Sequence, residues 1–146
     1  MEVRMVSLAL FLLGAATFFD LRTGKVPNQL IVAGYLIGGI VRIHSIQDAI
    51  SCAGTAVLTI AILYPLFLIK GLGAGDIKLF SALSVYCPPA FLAEVMAGSL
   101  FVGAGIAVWR LLLQKIKRRG AETHYLHYTV CILAAFIMEL LRVNLM

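Results

Sequence analysis

Apolar residues fall into six long blocks along this chain, roughly Val3–Phe19, Gln29–Val41, Ala49–Ile69, Ile77–Tyr86, Pro89–Leu113 and Tyr128–Leu145. An α-helix of about 20 apolar residues is what it takes to cross the hydrocarbon core of a bilayer. The pattern therefore predicts an all-α polytopic membrane protein, a bundle of six transmembrane helices. The third and fifth blocks meet the length requirement outright. The second and fourth are short, which predicts tilt, local thinning of the bilayer or extension into their flanks. The first has some marks of a signal peptide, with Arg4 ahead of an apolar run and small residues at Gly14–Ala16. Glu2 weakens its basic start and a polar motif begins at Asp20, so it is read as a retained span.

Composition agrees with the pattern. The chain is 62% hydrophobic and 13% charged, whereas soluble domains are nearer half apolar and a quarter charged. A water-soluble fold of this size has no means of hiding so much apolar surface. The formal charge of +5 does not point to nucleic acid, because the basic residues flank apolar blocks, where orientation signals lie. Alternating the six spans groups Arg22, Lys25, Lys70, Lys78, Arg110, Lys115, Lys117, Arg118 and Arg119 on one side. Only Arg4, Arg42 and Arg142 remain for the other. The positive-inside rule makes the first side cytoplasmic and both termini extracytoplasmic. The longest polar stretch is the basic loop Gln114–His127, and no repeat or low-complexity tract is present, so residues 1–146 read as a single membrane-embedded domain.

Candidate chemistry is sparse. Cys52, Cys87 and Cys131 are isolated, and without a C-x-x-C pair they read as small buried hydrophobes. His124 and His127 lack a third ligand, so no metal and no cofactor is expected. Glu94 and Glu139 lie inside the fifth and sixth blocks and read as helix–helix hydrogen bonders. Gly34, Gly38, Gly39, Gly98, Gly103 and Gly105 read as small-residue packing faces. Glu2, Asp48 and Glu122 fall at segment ends or in loops. Asp20 and Asp76 are different, because both lie at cytoplasmic ends of apolar blocks. Asp20 sits in "FFDLRTGKVPNQL", before Gly24 and Pro27 break the helical pattern. Asp76 sits in "KGLGAGDIKLF", where Gly73 and Gly75 let another backbone approach.

Each aspartate alone admits a structural reading: Asp76 as a helix N-cap, Asp20 as a partner of Arg22 or Lys25. Carboxylates so close to hydrocarbon are, however, functional by default. Two of them within reach of one another share a proton, the apparatus for activating water and protonating a leaving amine. The helix ends suggest Asp76 as the base and Asp20 as the acid, since a helix N-terminus favours negative charge and a C-terminus opposes it. Lys78 either neutralises charge beside Asp76 or anchors the interface.

These motifs resemble those of a known family. "GAGDIK" is similar to the G-x-G-D-x-K motif, and "DLRTGKVPN" to the first catalytic motif, of the type IV prepilin peptidases, which are G-x-G-D membrane aspartic proteases. Val26 stands where the family commonly has Ile. The late "HYTVCILAAF" also looks like the start of the family's final span. The resemblance implies a membrane aspartic endopeptidase that cuts the basic leader from pilin-like precursors at the cytoplasmic face of the inner membrane, after a glycine. It implies Asp20 and Asp76 as the catalytic pair, and Gly73, Gly75, Lys78, Pro27 and Asn28 as loop-shaping or substrate-binding residues. No methyltransferase insertion with paired cysteines is present, so the likeness is to the short, peptidase-only form found with Flp/Tad-type pili. The partners implied are prepilin precursors and membrane lipid, with no nucleic acid.

Three other readings remain open at this level. A presenilin-type protease places Tyr before its first Asp, where this chain has Phe19. A small transporter would use the Asp pair as a proton relay and call for an inverted repeat. A pilus-assembly factor would keep the fold without cutting.

Overall fold

A computed structural model describes residues 3–68, 71–117 and 128–145. Lys70, Glu122, His124 and His127 lie outside these residues, as do the side chains of Arg110 and of the basic cluster Lys115–Arg119. The described chain forms six helices: α1 (Val3–Thr23), α2 (Asn28–Arg42), α3 (Ile46–Leu68), α4 (Ala74–Leu83), α5 (Pro89–Lys117) and α6 (Tyr128–Leu145). They coincide with the six apolar blocks to within a few residues at each end. Three are long and apolar enough to cross a membrane: α1, α3 and the Pro89–Trp109 part of α5. At 10 residues, α4 is only about 15 Å long, half of a ~30 Å hydrocarbon core. The fourth block therefore does not lengthen into a spanning helix.

The short helix is instead the centre of the packing. Ile77 and the run from Leu79 to Leu83 are all buried, as are Val85, Tyr86 and Cys87 in the turn that follows. A helix apolar on every face has to be enclosed. α4 packs against α1, α2, α3 and α5, while α6 joins α5 to α1. The outer surface is oily. Phe11 on α1, Ile40 on α2, Val57 on α3, Phe101 on α5 and Met138 on α6 are exposed, while the hydroxyls of Ser81, Ser84, Ser99 and Thr129 are buried. Apolar patches of this extent suit lipid as solvent.

Buried polar groups have to find partners inside the bundle, and here they fasten α4 to its neighbours. Ser81 Oγ donates to the Ala56 carbonyl of α3 at 3.2 Å, so the Tyr35 hydroxyl of α2 donates to Ser81. The Tyr86 hydroxyl donates to the Gly34 carbonyl. Arg42, at the end of α2, donates from Nη1 to the Val85 carbonyl at 2.7 Å and to that of Ser84 at 3.3 Å. These carbonyls belong to the turn just past Leu83, so Arg42 places positive charge beside the C-terminal end of α4. At the start of α3, Ser45 and Asp48 cap reciprocally: Asp48 Oδ2 accepts the Ser45 N–H at 3.0 Å, and Ser45 Oγ accepts the Asp48 N–H at 3.2 Å. Asp48 thus has a structural task beyond solvation.

The glycine faces are borne out in part. A Cβ on Gly38 would stand 2.8 Å from Tyr86 Cζ and 2.9 Å from Val85 Cγ1, and one on Gly34 would stand 3.0 Å from Leu12. On Gly103 it would stand 2.7 Å from the Tyr128 ring, whereas Gly98 leaves an ordinary 3.4 Å to Ala135. Gly105 faces open space and Gly39 meets only Ile43 at the end of its own helix, so neither is a packing face between helices. Glu94 joins α5 to α6 through Arg142 at 2.9 Å, while Glu139 pairs with the same Arg142 within α6 at 3.4 Å.

Gly38→Ala should therefore destabilise the bundle by about 1–3 kcal/mol through overpacking. Gly54→Ala, on α3 with nothing near its Cβ position, should be neutral or stabilise by up to ~1 kcal/mol. Reversible unfolding of the two variants in mixed micelles checks this.

Candidate active site

Asp20 occupies the last turn of α1 and is buried. The helix ends beyond it at Gly24, whose φ of +68° suits only a residue without a Cβ penalty. The Gly24 N–H donates to the Asp20 carbonyl at 2.7 Å. Pro27 then lies extended at φ −67° and ψ 135° as the residue before α2, and its carbonyl accepts the Leu30 N–H at 3.1 Å. This tight turn keeps the end of α1 beside the start of α2.

Asp76 is delivered by a second turn. The Gly71 N–H returns to the Leu66 carbonyl at 2.8 Å, closing the end of α3. Gly73 caps α4, and the Asp76 carboxylate reaches back to accept the Gly73 N–H at 3.2 Å. Asp76 thus sits in the third helical position rather than at the cap itself, where its carboxylate satisfies an N-terminal donor. A Cβ on Gly73 would lie 2.9 Å from Asp76 Oδ2, so this glycine makes room for the carboxylate of its own helix. Gly75 meets Val26 at an ordinary 3.6 Å.

The two turns enclose one cavity of about 940 Å³, lined by both Asp20 and Asp76. Gly73, Gly75, Lys78 and Asn28 line it as well, with Lys25, Phe67, Leu72 and Tyr128; Pro27 is not on its wall. Lys78 Nζ donates to Asn28 Oδ1 at 3.0 Å, tying α4 to α2 at the rim. From α6, the Tyr128 hydroxyl shares a hydrogen bond of 3.1 Å with Ser99 of α5. Thr129 of α6 donates from Oγ1 to Asp20 Oδ2 at 2.8 Å, in a fully buried contact.

Thr129 and Tyr128 lie in the stretch "HYTVCILAAF" that resembles the start of the family's final span, but nothing in it marks either as a residue of the site. Thr129 stands 109 residues from the carboxylate it touches, and only the packing of α6 on α1 joins them. The tight fit of Gly103 against Tyr128 is the one clue, and it needs coordinates to be read.

Asp76 lies outside the long apolar helices, in the first turn of α4. Burial pushes its carboxyl up to about 6, the Gly73 N–H opposes that, and the negative charge of Asp20 adds to it. Loss of water thus outweighs the pull of the helix N-terminus, and the Asp76 carboxyl holds a proton more readily than the helix-end argument expects. A carboxylic acid and a second carboxyl in one cavity of this size are the parts needed to activate a water and protonate a leaving group.

The sequence pattern of the type IV leader peptidase family matches residues 7–108, more than half of the chain. The match takes in Asp20, both turns, Asp76 and Lys78, and it ends before α6. No curated protein and no solved structure matches the chain.

Two outcomes follow for the site. A carboxyl raised from 3.8 to about 6 on folding stabilises the fold fully below the lower value and loses that contribution as pH rises through the upper one. Asp76→Asn should therefore flatten the fall in thermal midpoint between about pH 4 and 6 and unfold at a higher temperature than wild type above that window. Gly73→Ala should displace the Asp76 carboxylate and abolish activity, while Gly75→Ala should keep the fold. Comparing the melting profiles and turnover of the two alanine variants tests the distinction.

Proposed function

The chain belongs to the type IV leader peptidase family, and from that membership we propose that it is an aspartic endopeptidase removing the basic leader of pilin-like precursors. The observation that supports this reading best is the single cavity into which both Asp20 and Asp76 open, built from turns at the ends of α1, α3 and α4. The cavity is large enough to take several residues of extended peptide. A scissile amide has to be out of a helix to be attacked, and this opening beside the apolar helices offers room for such a segment.

In the proposed reaction Asp20 accepts a proton from a water in the cavity as the water oxygen bonds to the scissile carbonyl carbon. The C–N bond then breaks as Asp76 gives its proton to the leaving nitrogen, which returns the pair with the proton exchanged between them. The direction of the Asp76 shift favours this assignment over the reverse one suggested by helix ends alone. The mechanism uses neither a metal nor a cofactor. Gly73 sets the Asp76 carboxylate, and Lys78 with Asn28 holds the rim.

The cavity is proposed to face the cytoplasm from the inner membrane. That orientation rests on the clustering of Arg22, Lys25 and Lys78 with the other basic residues on the side of the two turns. The absence of paired cysteines fits the short form associated with Flp/Tad-type pili, acting on prepilins within membrane lipid.

Co-expression of a pilin-like precursor with wild type, Asp20→Asn and Asp76→Asn, at matched membrane levels, tests the pair. Each substitution should lower cleavage by about 10²- to 10⁴-fold, the usual worth of a general acid or base. Cleavage near the wild-type rate by either variant sinks the two-aspartate mechanism. A wild type that cuts no such precursor brings back the transporter and assembly-factor readings.

A further inference from the structure

Threonines inside helices usually donate their hydroxyl proton back to a carbonyl of the preceding turn. Thr23, Thr55 and Thr59 all do so here, to Phe19, Ser51 and Thr55 at 2.8, 3.0 and 2.7 Å. Thr129 does not. Its hydroxyl crosses from α6 to α1 and donates to a carboxylate, at 2.8 Å and with no exposure to solvent. A hydroxyl has one proton to give, so this contact uses the whole donor capacity of the side chain. It also lies beyond residues 7–108, the part of the chain that matches the family pattern.

The second dihedral of an aspartate is broad and nearly two-fold. For a carboxylate on the wall of a cavity, each hydrogen bond to an oxygen helps to fix that plane, and the Thr129 hydroxyl supplies one. The burial of Thr129 against α1 holds its hydroxyl still, and the β-branched side chain restricts the first rotamer of the donor itself. Asp20 is thereby gripped at Oδ2 from a different helix, while its backbone is fixed from below by the Gly24 turn. Charge-assisted hydrogen bonds of this type are about twice as strong as neutral ones.

We infer that Thr129 is a positioning residue for the reaction, its hydroxyl holding the Asp20 carboxylate in the orientation needed to take the proton of the attacking water. The inference rests on the proposed roles of Asp20 and Asp76, and it adds α6 to the catalytic apparatus. It accounts for the placing of a fully buried hydroxyl on a helix whose neighbouring positions, Cys131, Ile132, Ala135 and Phe136, are buried and apolar.

The test compares the full chain in lipid vesicles as wild type, Thr129→Val and Thr129→Ser, cutting a synthetic pilin-like precursor. Thr129→Val keeps the shape and loses the donor, so kcat should fall about 10- to 100-fold, the worth of a hydrogen bond to a charged group. KM should stay within about twofold, because the hydroxyl touches Asp20 and not the substrate. Thr129→Ser should recover most of the rate. A second readout needs no turnover: the infrared difference between each background and its Asp20→Asn counterpart isolates the Asp20 carboxylate band. That band should move on Thr129→Val and return on Thr129→Ser. Should the valine variant fail to fold, Thr129→Ala takes its place in both measurements. Unchanged kcat and an unmoved band overturn the inference, as does a serine variant no better than valine, which would make the role one of packing. If wild type cuts nothing, the proposed function fails while the infrared comparison still decides whether Thr129 holds Asp20.

Discussion

Enclosure of α4 is the constraint on which the rest of this structure depends. A ten-residue helix is too short to be stable by itself in water, and with apolar residues on every face it has to be wrapped. The wrapping elements are α1, α2, α3 and α5. Because the helix is short, its first turn lies at the cavity while the turn that follows its last residue remains inside the bundle. One end therefore presents Asp76, and beside the other Arg42 donates to the carbonyls of Ser84 and Val85.

The polar contacts around α4 form a set along its length. Lys78 and Asn28 join it to α2 at the cavity rim, Tyr35 and Ser81 in the middle, and Arg42 with the Ser84 and Val85 carbonyls at the far end. In lipid the drive to bury apolar surface between helices is weak, so close packing and such hydrogen bonds carry more of the association. Gly34 and Gly38 make the approach possible by admitting Leu12, Tyr86 and Val85. The turn holding Asp76 inherits its position from this fastening, and the turn holding Asp20 follows because α2 begins only a few residues after α1 ends.

The electrostatics of the site are a competition decided by burial. A helix N-terminus stabilises a nearby carboxylate by typically 0.3–1 kcal/mol, whereas desolvation shifts carboxyls by up to several pH units at buried positions. In this cavity the second effect is larger at Asp76, and the neighbouring negative charge of Asp20 works in the same direction. The Gly73 N–H tempers the shift without reversing it. A helix dipole alone points to a charged Asp76, and the loss of water on burial works against it.

The positions of the six helices were legible in the sequence to within a few residues, because a bilayer demands long apolar blocks and turns need Gly24, Pro27, Gly71 and Gly73. Asp20 and Asp76 were legible for the same reason: a carboxylate at the edge of hydrocarbon stands out against its surroundings. The sequence also carried the family pattern over residues 7–108. What it did not carry was the third dimension. That α4 is a buried half-length helix, that Gly73 serves its own Asp76 rather than another backbone, that Gly105 packs against nothing, and that Thr129 reaches Asp20 were decided by tertiary structure alone. Hydropathy and turn chemistry are local properties and leave local marks, whereas a contact between residues 109 positions apart exists only once the helices between them have packed.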